Sequence, residues 1–247
     1  MLIINADDLG RTSAATDNII TCYSQQLITS ASAMVFMVDS ERAAELATTA
    51  GLATGLHLNL TQVFDARQVP SRVRQQHSSI VSYFCFSKWA QLIYNPFLQK
   101  KLEYIFAAQY DEYCRLFSKE PEKIDGHHHM HLCMNFILGR IIPRGLCVRR
   151  NFSFEPGEKS ILNRLYRRIV DAWLVRRYHC TEFFFSLEMD YADQRLKKIT
   201  DHARSADVEL MVHPERIITK DYLRSRPYRN FIVGVPMGTY RMLSRSS

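Results

Sequence analysis

Short apolar runs alternate with longer amphipathic stretches from the first residues to beyond position 200. Residues 2–5, 31–38, 53–60, 123–125, 146–149, 182–187 and 208–212 read as seven strands. Several are continuously apolar, the pattern of strands buried on both faces. Residues 13–26, 40–50, 95–117, 135–142, 160–178 and 191–205 carry the helical period. Strand–helix alternation along the whole chain predicts a parallel sheet, and about seven such strands predict an α/β fold of the distorted (β/α) barrel type. No linker, repeat or low-complexity tract interrupts it, so one domain over 1–247 is expected.

Two stretches break the rhythm. Residues 62–96 hold Arg67, Arg72 and Arg74, then the patch Val81-Ser82-Tyr83-Phe84-Cys85-Phe86. They read as an insertion after the third strand, either shaping substrate access or making a plain surface excursion. In 160–178, Leu162, Leu165, Tyr166, Ile169 and Trp173 form a helical stripe, with Arg164, Arg167 and Arg168 largely off it. The favoured expectation is a packed helix with a solvated basic face. The sharper alternative is a surface that meets acidic lipid headgroups or phosphates.

Composition narrows the classes. At 247 residues, 47% hydrophobic and 23% charged, the chain is that of a folded protein and not a disordered one. No apolar run approaches the roughly 18–20 residues of a membrane span. Asp7 and Asp8 stand where a signal peptide would be apolar, so a cytoplasmic location is expected. A net charge of +7 favours acidic partners, but no nucleic-acid motif accompanies it and no nucleic-acid partner is expected. Six dispersed cysteines without a C-x-x-C pair read as reduced thiols.

The chemistry concentrates at strand ends. Asn5-Ala6-Asp7-Asp8-Leu9-Gly10 follows the first strand, and Gly55-Leu56-His57-Leu58-Asn59-Leu60 closes the third. Asp125-Gly126-His127-His128-His129-Met130-His131 holds four of the nine histidines. If that run is extended, His127, His129 and His131 share a face; if helical, His127 and His131 meet at i, i+4. Glu209-Leu210-Met211-Val212-His213-Pro214 ends the last strand. In a parallel barrel all these ends open on one face, so residues spread over the chain should converge. Adjacent side chains point apart, so one aspartate could hold a cation while the other handles a proton. One Asp and two His leave ion positions open for water and a substrate oxygen. Such an assembly hydrolyses amides, esters or phosphate esters.

As a set, these motifs resemble the hallmarks of the YdjC-like carbohydrate deacetylases, which include the chitooligosaccharide deacetylases (ChbG) and a hopanoid-biosynthesis branch (HpnK). Gly238-Thr239-Tyr240-Arg241 is similar to that family's closing motif. The resemblance implies a distorted barrel, one divalent metal ion, and removal of an N-acetyl group from an amino sugar with release of acetate. It makes Asp8, His57 and His127 the metal ligands, Asp7 the general base and His213 the general acid. Asn59, His129 and His131 become supporting or substrate-contacting residues, with His131 the reserve ligand. Family practice points to magnesium, and the donor set also suits zinc.

Leu9 replaces the family's usual Phe. Residues 62–96 and the Arg-rich 149–178 do not look like the free chitooligosaccharide enzymes. The acceptor could therefore be an oligosaccharide or a lipid-linked sugar, with peripheral membrane contact. A homodimer is compatible with the sequence. The alternatives are a metal-dependent phosphoesterase and a non-catalytic sugar-binding member.

Overall fold

In a computed structural model the chain is described at residues 1–87, 89–154, 158–187 and 193–243. Strands β1 (Leu2–Leu9), β2 (Ser30–Ala33), β3 (Ala53–Leu58), β4 (Ile124–Gly126), β5 (Phe183–Ser186) and β6 (Val208–Val212) form one parallel sheet in the order β4-β3-β2-β1-β6-β5. The sheet curls into a distorted, incompletely closed barrel. Helices α1 (Ser13–Ser24), α2 (Ser40–Ala50), α3 (Ser71–Phe86), α4 (Pro96–Phe117), α5 (Met134–Gly139), α6 (Ile161–Leu174) and α7 (Asp193–Ser205) link the strands. The chain ends in α8 (Ile217–Arg224), α9 (Arg226–Ile232) and α10 (Tyr240–Leu243). Among the described residues no helix is long and apolar enough to cross a membrane.

Helix ends follow local chemistry. Thr12 caps α1 through Ala15 N, Asn95 caps α4 ahead of Pro96, and Gly51 closes α2 in the left-handed region. The sequence places α2 at its observed bounds. Tyr191 and Ala192, at the head of the helix expected over 191–205, lie outside the described residues.

Three expectations are corrected. Among the described residues the sheet has six strands, because 146–149 pairs only through isolated bridges, Ile124 to Val148 and Cys147 to His179. Arg149 N donates to Ile124 O and Ser153 N to Phe184 O, so this segment spans the gap between β4 and β5 without a continuous ladder. Its side chains serve the interior, described below, at the expense of regular pairing. Second, the strands are buried on both faces as expected, but only one of those faces is apolar. Leu210, Val212, Ala31 and Leu56 pack under the helices, whereas Asn5, Asp7, Ser30, Ser32, Asp125 and Glu209 alternate with such residues and face one another inside the curl. Third, the apolar stripe of α6 faces outward except for Trp173, which packs on the core; Val170, Asp171 and Leu174 are the helix's buried residues.

The stretch 62–96 contains α3, which packs on α4, and its Phe64, Val73, Ile80 and Phe84 join the main core. The interior of the curl is layered. Ile3, Cys147, Tyr240 and Leu243 plug one end, charged side chains fill the middle, and the strand C-termini open the other end.

Candidate metal centre and its cleft

The strand ends surround a cleft of about 470 Å³ lined by residues that include Asp7, Asp8, His57, His127, His129 and His213. Four strands of one parallel sheet deliver them, which is the convergence expected of the motifs.

At the end of β1 the pairing with β2 slips by one residue between Ala6 and Leu9, and Asp8 adopts φ 71°. A bulge with a left-handed residue re-aims side chains, and aspartate tolerates that region better than most. Both carboxylates therefore turn toward the same imidazole: His57 Nε2 lies 3.3 Å from Asp8 Oδ1 and 4.0 Å from Asp7 Oδ2. The divergence expected of adjacent side chains is overridden by this local backbone. His127 Nδ1 lies 3.0 Å from the same Asp8 Oδ1. Asp8, His57 and His127 are all buried and each offers a donor atom within 4.8 Å of the others.

Asp7, His57 and Asp125 are similarly close, but their oxygens are already committed. Arg149 donates to both oxygens of Asp7 at 2.7 Å, and Asn5 Nδ2 donates to Oδ1 at 2.8 Å. Asp125 Oδ2 accepts from Ser32 Oγ at 2.7 Å and lies 2.8 Å from Lys123 Nζ. By contrast, buried Asp8 Oδ1 has no hydrogen bond of sound geometry, though two imidazole nitrogens face it. An orphaned carboxylate oxygen between two ring nitrogens is the form of a cation site.

The charge balance agrees. Asp7, Asp125 and Glu209 pair with Arg149 and Lys123, while Asp8 Oδ2 lies 3.2 Å from Arg11, which Glu215 shares at 3.0 Å; the four buried acids thus exceed the two buried cations by two. A divalent ion held by neutral His57 and His127 neutralises that excess. Without an ion, His57 takes up a proton: burial opposes this, but Asp125 and Asp7 outweigh it and push the pKa up to about 10. Asp7 moves oppositely, because Arg149 and His57 overcome the effect of burial and hold it at about 2. His57 Nδ1 is bonded to Asp125 Oδ1 at 2.7 Å, which fixes the ring and leaves Nε2 for Asp8's side.

The histidine run is neither extended nor α-helical. It is a kinked 3₁₀ segment over His127–Leu132 in which His128 and His129 both have positive φ, 53° and 58°. The four rings consequently find different partners. His127 joins Asp8; His128 stacks beside it and meets Thr61 Oγ1 at 2.9 Å. His129 faces the cleft and packs edge-on against Phe152. His131, the reserve ligand, is turned under the run with Nε2 bonded to Arg149 O at 2.9 Å. Burial pushes His128 and His131 down to about 4, so both stay neutral. Gly126 permits this path, since a Cβ there would lie 2.8 Å from His131 N.

Asn59 is fully buried away from the cleft. Its side chain accepts from Thr61 N and Gln62 N and donates to Gln62 O, so it shapes the turn after β3. His213 opens on the cleft one residue beyond β6.

Sequence reasoning missed the supporting charges. Lys123 Nζ and Arg149 both reach Glu209 Oε1, at 2.6 and 2.7 Å, and Tyr240 OH donates to Glu209 Oε2. The available signal was strand parity: Lys123 and Asp125, or Glu209 and Met211, are two apart and must share a face.

Comparisons agree with this geometry. The sequence pattern of the YdjC-like protein family matches residues 1–227. A chitooligosaccharide deacetylase of Escherichia fergusonii is 31% identical over 226 residues, covering 87% of this chain and 81% of that one. One from Salmonella paratyphi C is 24% identical over 217 residues, with the same coverages of 87% and 81%. A crystal structure from Enterococcus faecalis V583, described as a cellobiose-phosphate cleavage protein, superposes with a TM-score of 0.68 at 20% identity, covering 98% of each chain. At that identity the likeness speaks for the fold alone.

Proposed function

Because the chain belongs to the YdjC-like protein family, we propose that it is a carbohydrate N-deacetylase, a hydrolase that removes the acetyl group from an N-acetylated amino sugar and releases acetate. The observation that carries this reading is the Asp8–His57–His127 cluster beside a separately tethered carboxylate, Asp7.

Asp8, His57 and His127 would hold one divalent cation, magnesium by the family resemblance or zinc by the softness of the donors. Such an ion polarises the amide carbonyl and acidifies a water molecule. Asp7 is ionised at any working pH and, clamped by Arg149 and Asn5, accepts the proton of the attacking water. A base this weak would suit a water acidified by such an ion. His213, at the end of β6, gives a proton to the departing amine. Phe152, backed by Phe184 in a stacked pair at 4.5 Å, offers an apolar wall for a sugar ring. The cleft volume falls within the roughly 300–1,000 Å³ of small-ligand sites.

The test is incubation of the purified chain with diacetylchitobiose and with a lipid-linked N-acetylhexosamine, magnesium or zinc being supplied. Acetate and a free amine are expected in equal amounts. Release of phosphate from sugar phosphates, with no acetate from any acetylated sugar, would replace this reading with a phosphoesterase.

A further inference from the structure

Helix α6 presents its apolar stripe to solvent. Leu162 is 78% and Ile169 63% exposed, and Ile161 and Leu165 are exposed beside them. Single exposed apolar residues are ordinary, but these recur three and four apart and so form one continuous ridge. Arg168 is exposed on one flank with half-buried Arg164 one turn before it, and exposed Arg176 follows the helix end. The helix's acid, Asp171, is buried and bound to Arg150 at 2.8 Å, so the outward side carries positive charge only.

A second apolar group lies between α3 and α4. Phe97 is 89% exposed, with Phe86 and Ile93 also exposed, and Leu138 of α5 joins them. This second group adjoins α5, where Asn95 and Asn135 exchange hydrogen bonds of 3.0 and 2.8 Å. Each group is linked to the cleft through intervening residues. Phe152 in the cleft wall continues into Phe154, which Arg167 of α6 covers, and His128 lines both the cleft and the hollow beneath Cys85 and Gln91.

What covers this face follows from its charge. A second copy would set Arg164 and Arg168 near their own equivalents, with no outward acid on the helix to pair them. A ridge of Leu and Ile edged by arginines, on a chain of net charge +7, suits a fluid surface of negative headgroups over an apolar interior. We propose that the α6 ridge, together with exposed Phe86, Ile93 and Phe97, docks the protein on an anionic lipid bilayer and sets the cleft mouth at its surface. This inference stands apart from the deacetylase reading, because docking is measured without turnover.

The experiment is co-sedimentation of the full chain with phosphatidylcholine vesicles containing about 30% phosphatidylglycerol, and with phosphatidylcholine alone. Binding to the anionic vesicles should exceed binding to the neutral ones by about tenfold and fall with salt. Leu165→Glu/Ile169→Glu should weaken it by at least about tenfold, and Arg164→Gln/Arg168→Gln by about tenfold. Val233→Glu, beyond α9 near the opposite end of the sheet, should leave it unchanged. Trp89, one of the two tryptophans, is 60% exposed beside Phe86 and Ile93, so its emission should move to shorter wavelength on binding. Thermal melts identify the variants that remain folded. No binding to anionic vesicles, or full binding by a folded Leu165→Glu/Ile169→Glu variant, would overturn the proposal. So would a self-associated species in ultracentrifugation that this variant dissociates.

Discussion

Arg149 grips both carboxylate oxygens of Asp7 at 2.7 Å, from a segment that is 142 residues away and is not a regular strand. The same guanidinium lies 2.9 Å from Asp125 and 2.7 Å from Glu209, and it is fully buried. One side chain thus ties the proposed base, the support of His57 and the charged middle layer together. Its planar fork matches Asp7 in a way that an ammonium cannot.

Removing that fork should separate position from charge. Arg149→Met leaves buried carboxylates uncompensated and should cost about 3–5 kcal/mol of stability. Arg149→Lys keeps the charge and should fold, yet lose about a hundredfold in kcat with KM little changed, because Asp7 is no longer held in one plane. Steady-state acetate release and thermal melts give both quantities. Wild-type kcat in Arg149→Lys would show that Asp7 needs no bidentate clamp.

The two aspartates should have separable roles. Asp8→Ala removes the orphaned oxygen between His57 and His127 and should abolish binding of the divalent ion, read as metal content after dialysis. Asp7→Asn keeps all three candidate ligands and should retain the ion, while turnover falls by about 10²–10⁴. Chelation should silence the wild type, and magnesium or zinc should restore it. Undiminished turnover by Asp7→Asn would remove Asp7 from the role of base.

Why these pairs were only half legible is clear from particular residues. Strand ends can be read from apolar runs, and parallel topology then carries Asp8, His57, His127 and His213 to one rim without further information. What periodicity does not encode is local backbone. The bulge that turns Asp7 and Asp8 to one side depends on a slip in pairing with β2, and the positive φ of His128 and His129 sends the four imidazoles to different partners. Arg149 was hidden for a different reason. Its segment looks like a strand by composition, but its partners are acids on three other strands. The α6 stripe is visible in sequence; whether it faces inward or outward is not, because periodicity defines a face and not its partner.

Gly126 should prove intolerant of even one methyl group. A Cβ would stand 2.8 Å from His131 N and 3.0 Å from His131 Nδ1, where only backbone movement could relieve it. Gly126→Ala should cost about 1–3 kcal/mol of stability. Because His127 is the next residue, the relief should also displace a candidate ligand. Ion affinity, followed by calorimetric titration of the ion-free protein, should fall by about tenfold or more, by analogy with supporting residues of metal sites. Unchanged ion affinity would mean that the turn relaxes away from His127.

Low pH should loosen the support of β3 through His77. This side chain is fully buried on α3, stacked 3.5 Å from Phe64, and its Nε2 donates to Asn59 O at 3.0 Å. With the proton on Nε2, Nδ1 is left buried without a partner, so a second proton would place a charge there. Burial pushes the pKa down to about 4, against the smaller opposing effect of the bond to Asn59. The unfolded chain titrates near the ordinary 6.5. Above that pH neither state is protonated and stability is complete. As pH falls from 6.5 through 4, the unfolded state takes up a proton that the folded state refuses, and stability is lost. The shift corresponds to about 3 kcal/mol in full, of which about 2–3 should be gone by a pH of about 4.5. His77→Gln removes this titration while keeping a donor for Asn59. Urea unfolding near neutrality and near pH 4.5 should therefore show the wild type losing about 2–3 kcal/mol more than the variant. Equal losses would mean that His77 is reached by water in the folded state and does not couple the turn after His57 to pH.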